Sequence, residues 1–265
     1  MVFVSLFFIL IGFLFVRGYS VQDGAFLVSM DQWRIVSISA ILILLLSFIS
    51  VFYEKKIKKF KKYLFFCIVL VAIVTTILIV FSTLYTNFIS ETKGPVHWHA
   101  DFEIWKCGKK LDLIDPKGLT NRIGTPVLHE HGDNRIHVEG VVVDFSDVDL
   151  HNFFDVVGGS LDKDNFIALT NNGIVEAKNG DLCNGEEGKL QVFVYEVLNP
   201  YRSQTFEQRK VEDFENFILS PYASVPPGSC IIIEFDKEKE RTDKICETYK
   251  IAIESGNIRE FVHGS

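Results

Sequence analysis

His97-Trp98-His99-Ala100-Asp101-Phe102-Glu103-Ile104-Trp105 alternates polar and apolar side chains with a period of two. His97, His99, Asp101 and Glu103 fall on one face, and Trp98, Ala100, Phe102 and Ile104 on the other. That pattern predicts a half-buried β-strand. Cys107-Gly108-Lys109-Lys110 then reads as a turn into Leu111-Asp112-Leu113. Two more strands are expected at 125–129 and 135–143, joined by the turn residues Gly132-Asp133-Asn134. Further strands are expected at 166–170, 188–197 and 230–235. Residues 147–157 predict a short helix with Asp147 as its N-cap and Leu150, Phe153, Phe154 and Val157 as an apolar stripe, ended by Gly158-Gly159. Residues 206–219 read as helix or loop, and 243–253 as a closing helix. The fold class is thus a mainly β, β-rich α+β domain.

The region before this strand has another character. Three apolar runs, at about 2–16, 35–53 and 64–85, read as transmembrane helices, the third the longest and the first the shortest. Between the second and third lies a loop, 54–62, with six lysines. By the positive-inside rule it stays cytoplasmic, so the third span exits and the rest of the chain lies outside the cell membrane. A cleaved signal peptide is the rival reading of the first run. Against it stand the lack of a basic segment and of a small-residue cleavage site near Val16-Arg17-Gly18. The expectation is an integral membrane protein with a cytoplasmic N-terminus, an anchor over 1–88, a linker over 89–96 and an extracytoplasmic C-terminal domain. Within that domain, 97–184 holds nearly all the histidines, and 185–265 is a β-rich subdomain or a continuation.

Charge divides at the same place. Residues 1–88 hold eight Lys/Arg against three Asp/Glu, a net of +5, so a chain of −7 leaves −12 on the remainder. An acidic outer domain argues against nucleic acid as a partner, because phosphate binding needs a basic face. It suits cations, and equally an ordinary solubilising surface. The expected partners are the lipid bilayer, a metal ion, and a membrane or cell-surface protein that the sequence does not identify. Cys67 lies within the third apolar run. The other four cysteines fall in the outer domain, and an even number in an oxidising compartment favours two disulfides. The short separation of Cys230 and Cys246 favours that pair together with Cys107–Cys183. Thiolate ligation of a metal is the alternative, without Cys-x-x-Cys spacing to support it.

Five of the seven histidines fall within about forty residues. His97 and His99, His129 and His131, and His137 with Glu139 each sit two apart, so on strands each pair projects from one face. Asp101 is in phase with His99, and Asp133 with His131. If these strands pair, imidazoles and carboxylates converge on one pocket suited to a divalent transition metal such as Zn, Cu(II), Ni or Fe(II). The candidate ligands are His97, His99, His129, His131, His137, Asp101 and Glu139. Asp101, Glu130 or Glu139 could instead orient the imidazoles. His151 and His263 read as ordinary polar residues. His129-Glu130-His131 has the wrong spacing for a helical His-Glu-x-x-His zinc site.

His97-x-His99-Ala100, Leu128-His129-x-His131, Ile136-His137-x-Glu139 and Leu150-x-x-Phe153-Phe154, in that order, resemble segments of uncharacterised membrane-anchored prokaryotic proteins. The resemblance covers about 97–157 and implies an extracytoplasmic domain of metal-binding type. Three functions stay open. One is capture or transfer of a transition metal. Another is a metal-dependent hydrolase of Zn type, with Glu130 or Glu139 as general base. The third is an adhesion or assembly domain stapled by metal and disulfides. Gly-x-Ser-x-Gly, P-loop and dinucleotide fingerprints are absent, which argues against serine, nucleotide and NAD chemistry.

Overall fold

A computed structural model describes residues 32–53, 58–119, 121–199, 204–219 and 221–261. The chain divides into two compact units, Met1–Thr86 and Asn87–Ser265. The first apolar run, 2–16, lies outside the described residues, as do 54–57 of the lysine loop and His263.

The described part of the first unit is built on two helices, α1 (Gln32–Phe52) and α2 (Lys61–Ile89). Neither contains Gly or Pro, and both are long and apolar enough to cross a membrane. At 1.5 Å per residue, α1 is about 30 Å long, close to a bilayer's hydrocarbon core. Leu44, Phe48, Phe65 and Leu84 are exposed around the pair, which in water would be costly and in lipid is not. The polar exceptions are satisfied locally. Thr76 and Thr83 donate to the carbonyls four residues back, and the Ser39 and Thr75 hydroxyls meet across the two helices at 2.6 Å. Among the described residues, then, two of the three expected apolar segments are helices of spanning length.

The second unit is organised by one mixed sheet of nine strands. Its members are β1 (Pro95–Lys106), β2 (Lys109–Leu111), β3 (Ile123–Gly124), β4 (Leu128–Glu130) and β5 (Arg135–Val141). Later in the chain come β11 (Lys189–Val197), β12 (Thr205–Val211), β13 (Cys230–Asp236) and β14 (Arg259–Glu260). The order is β14-β12-β11-β13-β1-β5-β4-β3, with β2 on β1. Strands from both sides of residue 185 therefore share one sheet, joined where β1 and β13 run parallel. β13 reads Cys230-Ile231-Ile232-Ile233-Glu234-Phe235 because both of its faces are covered, as an interior strand requires.

One face of the sheet rests on the main core. Ala100, Phe102, Ile104, Leu128, Ile136, Val138, Leu190, Val192, Val194, Ile231 and Ile233 point into it. Helix α3 (Leu150–Val156) supplies Leu150, Phe153 and Phe154 from below, with Phe153 edge-on to Phe102 at 5.3 Å between ring centroids. A small sheet of β6 (Ser160–Asp162), β7 (Asn165–Thr170) and β8 (Gly173–Lys178) closes that side with Leu161, Phe166, Ala168 and Ala177. On the opposite face, helix α4 (Glu247–Glu254) covers β11 and β13, burying Tyr249 and Ala252 against Phe193, Tyr195, Phe206, Cys230 and Ile232. Over β1, β5 and β4 that face carries the histidines.

Both expected disulfides are present. Cys107 pairs with Cys183, which lies in the short β9 (Leu182–Cys183) facing β10 (Glu186–Glu187), and Cys230 pairs with Cys246. Two local expectations are corrected. The N-cap of α3 is Asp149, whose carboxylate accepts from the Asn152 amide, because a turn of 3-10 helix over Phe145–Val148 takes up the residues around Asp147. Residues 205–211 form strand β12, not helix or loop. It lies beside β11 near the sheet's margin, so Glu207, Arg209 and Lys210 blur its apolar alternation. β8 was not anticipated, since most of its side chains are exposed.

Phe153 has no exposed surface and anchors α3 under the histidine-bearing strands. Phe153→Ala should therefore destabilise the domain by about 3–5 kcal/mol. Thermal melting of the detergent-solubilised chain, followed by near-UV circular dichroism, checks this. An unchanged midpoint would contradict the packing described.

Candidate metal centre

The site follows from strand register. β1 and β5 are antiparallel with His99 opposite His137 and His97 opposite Glu139. β5 and β4 are antiparallel with His129 also opposite His137. Directly opposed residues share a face with Cβ atoms about 4.5–5.5 Å apart. His99, His137 and His129 therefore form a row across three strands, with His97 and Glu139 in the adjoining row. His131 follows just beyond β4. The alternate residues Trp98, Ala100, Leu128, Ile136 and Val138 point the other way, into or against the main core.

The five rings are contiguous. Ring centroids are 4.5 Å apart for His97–His99, 4.6 Å for His99–His137, 4.7 Å for His131–His137, 4.8 Å for His129–His131 and 5.5 Å for His129–His137. Two donor groups result. His97, His99, His137 and Glu139 offer ligand atoms within 4.8 Å of one another, and so do His129, His131 and His137. Ligand atoms around a tetrahedral ion at 2.0–2.1 Å stand roughly 3.4 Å apart, so small side-chain rotations suffice to close either group. The first group is the more open, with the His97 side chain 60% exposed. In the second, His129 is 1% exposed.

Hydrogen bonding leaves nitrogen lone pairs over. His99 Nε2, His129 Nδ1 and His137 Nδ1 are buried without a partner. Meanwhile the other ring edges are held. His99 hydrogen-bonds to the Ala223 backbone, His131 Nδ1 meets the Asn121 carbonyl, and His137 Nε2 stands 3.4 Å from Asp133 Oδ2. Such contacts are what orient metal-ligating imidazoles. Glu139 lies between the groups, with Oε1 3.0 Å from His97 Nε2 and Oε2 3.9 Å from His129 Nε2. At two of the rings the surroundings favour the neutral form. Burial lowers His129 to about 4, helped by His131 and His137 and opposed by Glu139. Burial likewise lowers His99, with His137 and His97 adding to the effect. Neutral imidazole is the form that binds metal.

Two acidic candidates are placed elsewhere. Asp101 accepts from Arg135 Nε at 2.8 Å and from the Thr248 hydroxyl, tying α4 to the sheet, and belongs to neither donor group. Glu130 points to the opposite side of β4, where it accepts from the Asp133 and Asn134 amides and holds the turn into β5. Burial raises its pKa. Asp133 takes the orienting position instead. Burial opposes its ionisation, but the hydrogen bond to His137, with the His137 and Arg135 charges, brings its pKa down. His151 lies apart, with Nδ1 2.6 Å from the Leu161 carbonyl. The disulfides take four of the five cysteines, and the remaining thiol, Cys67, belongs to α2, so the donors here are imidazole and carboxylate.

Sequence reasoning missed the backbone that frames these rings. Gly124 lies opposite His129, and a Cβ there would stand 2.5 Å from the Leu128 carbonyl oxygen. Gly228 packs as closely on the His99 carbonyl, and Tyr222 accepts the His99 amide hydrogen at 2.8 Å. Glycine beside Thr-Pro and Pro-Pro suggests turns, and nothing in such spacing identifies a distant partner. The fold and site thus define a β-rich domain with two overlapping histidine groups, following helices of membrane-spanning length. No protein-family model, curated protein or solved structure matches the chain.

Gly124 also has a φ of +112°, which L side chains rarely adopt. Gly124→Ala should lower the melting temperature and weaken whatever affinity the His129 group has. An alanine variant that melts like the parent would refute the close approach. A second expectation concerns pH. The folded value of His129, about 4, lies below its ordinary 6.5, so between these the unfolded chain binds more protons. Stability of the metal-free protein therefore falls as pH drops from 6.5 toward 4, by at most about 3 kcal/mol from this group. Melting curves at pH 7 and 5 should show a smaller acid loss in His129→Gln than in the parent. Equal losses would remove His129 as the cause.

Proposed function

We propose that this chain is an integral membrane protein whose β-rich domain lies outside the cell membrane and binds a divalent transition metal there, for capture and transfer. The observation that carries this reading is the run of five contiguous imidazoles containing three buried nitrogens without a hydrogen-bond partner. An unpaired buried polar atom costs about 1–3 kcal/mol, and three in one cluster make sense as ligands. Nitrogen and carboxylate donors suit Zn, Cu(II) or Ni. The extracytoplasmic placement is supported by the six lysines between the apolar segments and by two disulfides in the β-rich unit. The resemblance of four ordered segments to those of membrane-anchored prokaryotic proteins belongs to the same proposal. Three of them supply the rings and Glu139, and the fourth supplies Leu150, Phe153 and Phe154 beneath.

One observation favours hydrolysis as a second reading. His129, His131 and His137 give three nitrogens, the ligand count of a catalytic Zn with one position open to water. Glu139, beside them, would be the base.

Elemental analysis of the full chain in mild detergent, after dialysis against Zn, Cu or Ni, tests the metal claim. The expected result is near-stoichiometric metal in the parent and loss of most of it in a His97→Ala/His99→Ala/His129→Ala/His131→Ala variant that still folds. A folded parent that retains none of the three metals would sink it.

A further inference from the structure

The two donor groups are not independent, because both include His137. A neutral imidazole has one lone pair, since its other nitrogen carries hydrogen. At His137 the Asp133 carboxylate, which only accepts, faces Nε2 at 3.4 Å. That places the hydrogen on Nε2 and leaves the buried, unpartnered Nδ1 as the donor. One lone pair serves one ion.

From this we infer that the cluster is a two-station path for a single ion, with an outer station of His97, His99 and Glu139 and an inner one of His129 and His131, sharing His137. This rests on the metal-binding reading above and says how that site works. The outer station opens to solvent through His97 and Glu139, whose side chains are 60% and 40% exposed, while His129 in the inner station is 1% exposed. Glu139 spans them. Its Oε1 faces His97 Nε2 at 3.0 Å and His137 Nδ1 at 3.9 Å, and its Oε2 faces His129 Nε2 at 3.9 Å. An ion held by His137 can thus exchange one set of neighbours for the other without leaving the shared ligand or crossing open water. His131 is the natural far end of the path. It lies beyond the end of β4, and its Nδ1 is tied to the Asn121 carbonyl, which leaves Nε2 to ligate.

The test uses the full chain in detergent, titrated with Zn(II) and, for its ligand-field spectrum, Co(II). Three variants are compared with the parent: His97→Ala/Glu139→Ala, His129→Ala/His131→Ala and His137→Gln. The parent should bind one ion. Each double variant should still bind one ion, about tenfold or more weakly, and the two should give different Co(II) spectra. His137→Gln should weaken binding more than either double variant. The double variants carry the test by themselves if His137→Gln fails to fold. Two ions in the parent would overturn the inference in favour of a dinuclear centre. Abolished binding in both double variants would overturn it in favour of one mixed site, and unchanged affinity in either would show that its station does not exist. A parent that binds neither ion would overturn the metal reading itself.

Discussion

The antiparallel register of β1, β5 and β4 is the constraint on which this domain depends. Because side chains alternate along a strand, a slip of one residue would turn the histidines into the core and Ala100, Ile136 and Val138 out of it. Several contacts hold the register at once. Phe153 packs on Phe102 from below. Arg135 reaches across the strand pair to Asp101 from above. Glu130 ties the amides of the turn between β4 and β5. The hydrophobic pattern therefore determines where the imidazoles stand, and the charged residues lock it.

This explains why two acidic residues adjacent to histidines lie outside both donor groups. Asp101 is opposite Arg135, in the row next to His99–His137, and there the sheet is already closing under α4. A buried carboxylate in that position needs a cation and a hydroxyl more than it needs an ion to coordinate. Glu130 lies one residue from His129 and for that reason faces away from it. The carboxylate that joins a donor group, Glu139, is the one in phase with His137 and opposite His97.

Much of this was readable from alternation alone. The period of two in 97–105 and 135–143 placed the histidines on one face, and the β-branched run 230–235 announced a strand. Pairing was another matter. That β13 would lie parallel to β1, across most of the domain's length, follows from long-range packing that no local pattern encodes. The same limit hid Asn121, Gly124, Ala223 and Gly228, each of which acts on a histidine through its backbone or through the absence of a side chain. β12 escaped because a strand near the sheet's margin need not alternate cleanly. Asp147 was displaced as a cap because Asp144 and Asp149 are equally capable and better placed.

The energetics link the site to the stability of the whole unit. Burying His99, His129 and His137 without partners for one nitrogen each opposes folding, and the aromatic and aliphatic core beneath them must offset it. A ligand that satisfies those nitrogens binds the folded state and not the unfolded one, so it adds RT ln(1 + [L]/Kd) to stability. Rigid strands favour tight holding of an ion, while His97, largely exposed, is the member freest to adjust. A cluster with a stiff centre and one looser end suits an ion that arrives and departs better than one that is permanently enclosed. The net charge of −12 over the residues after 88 favours the approach of cations to this part of the chain.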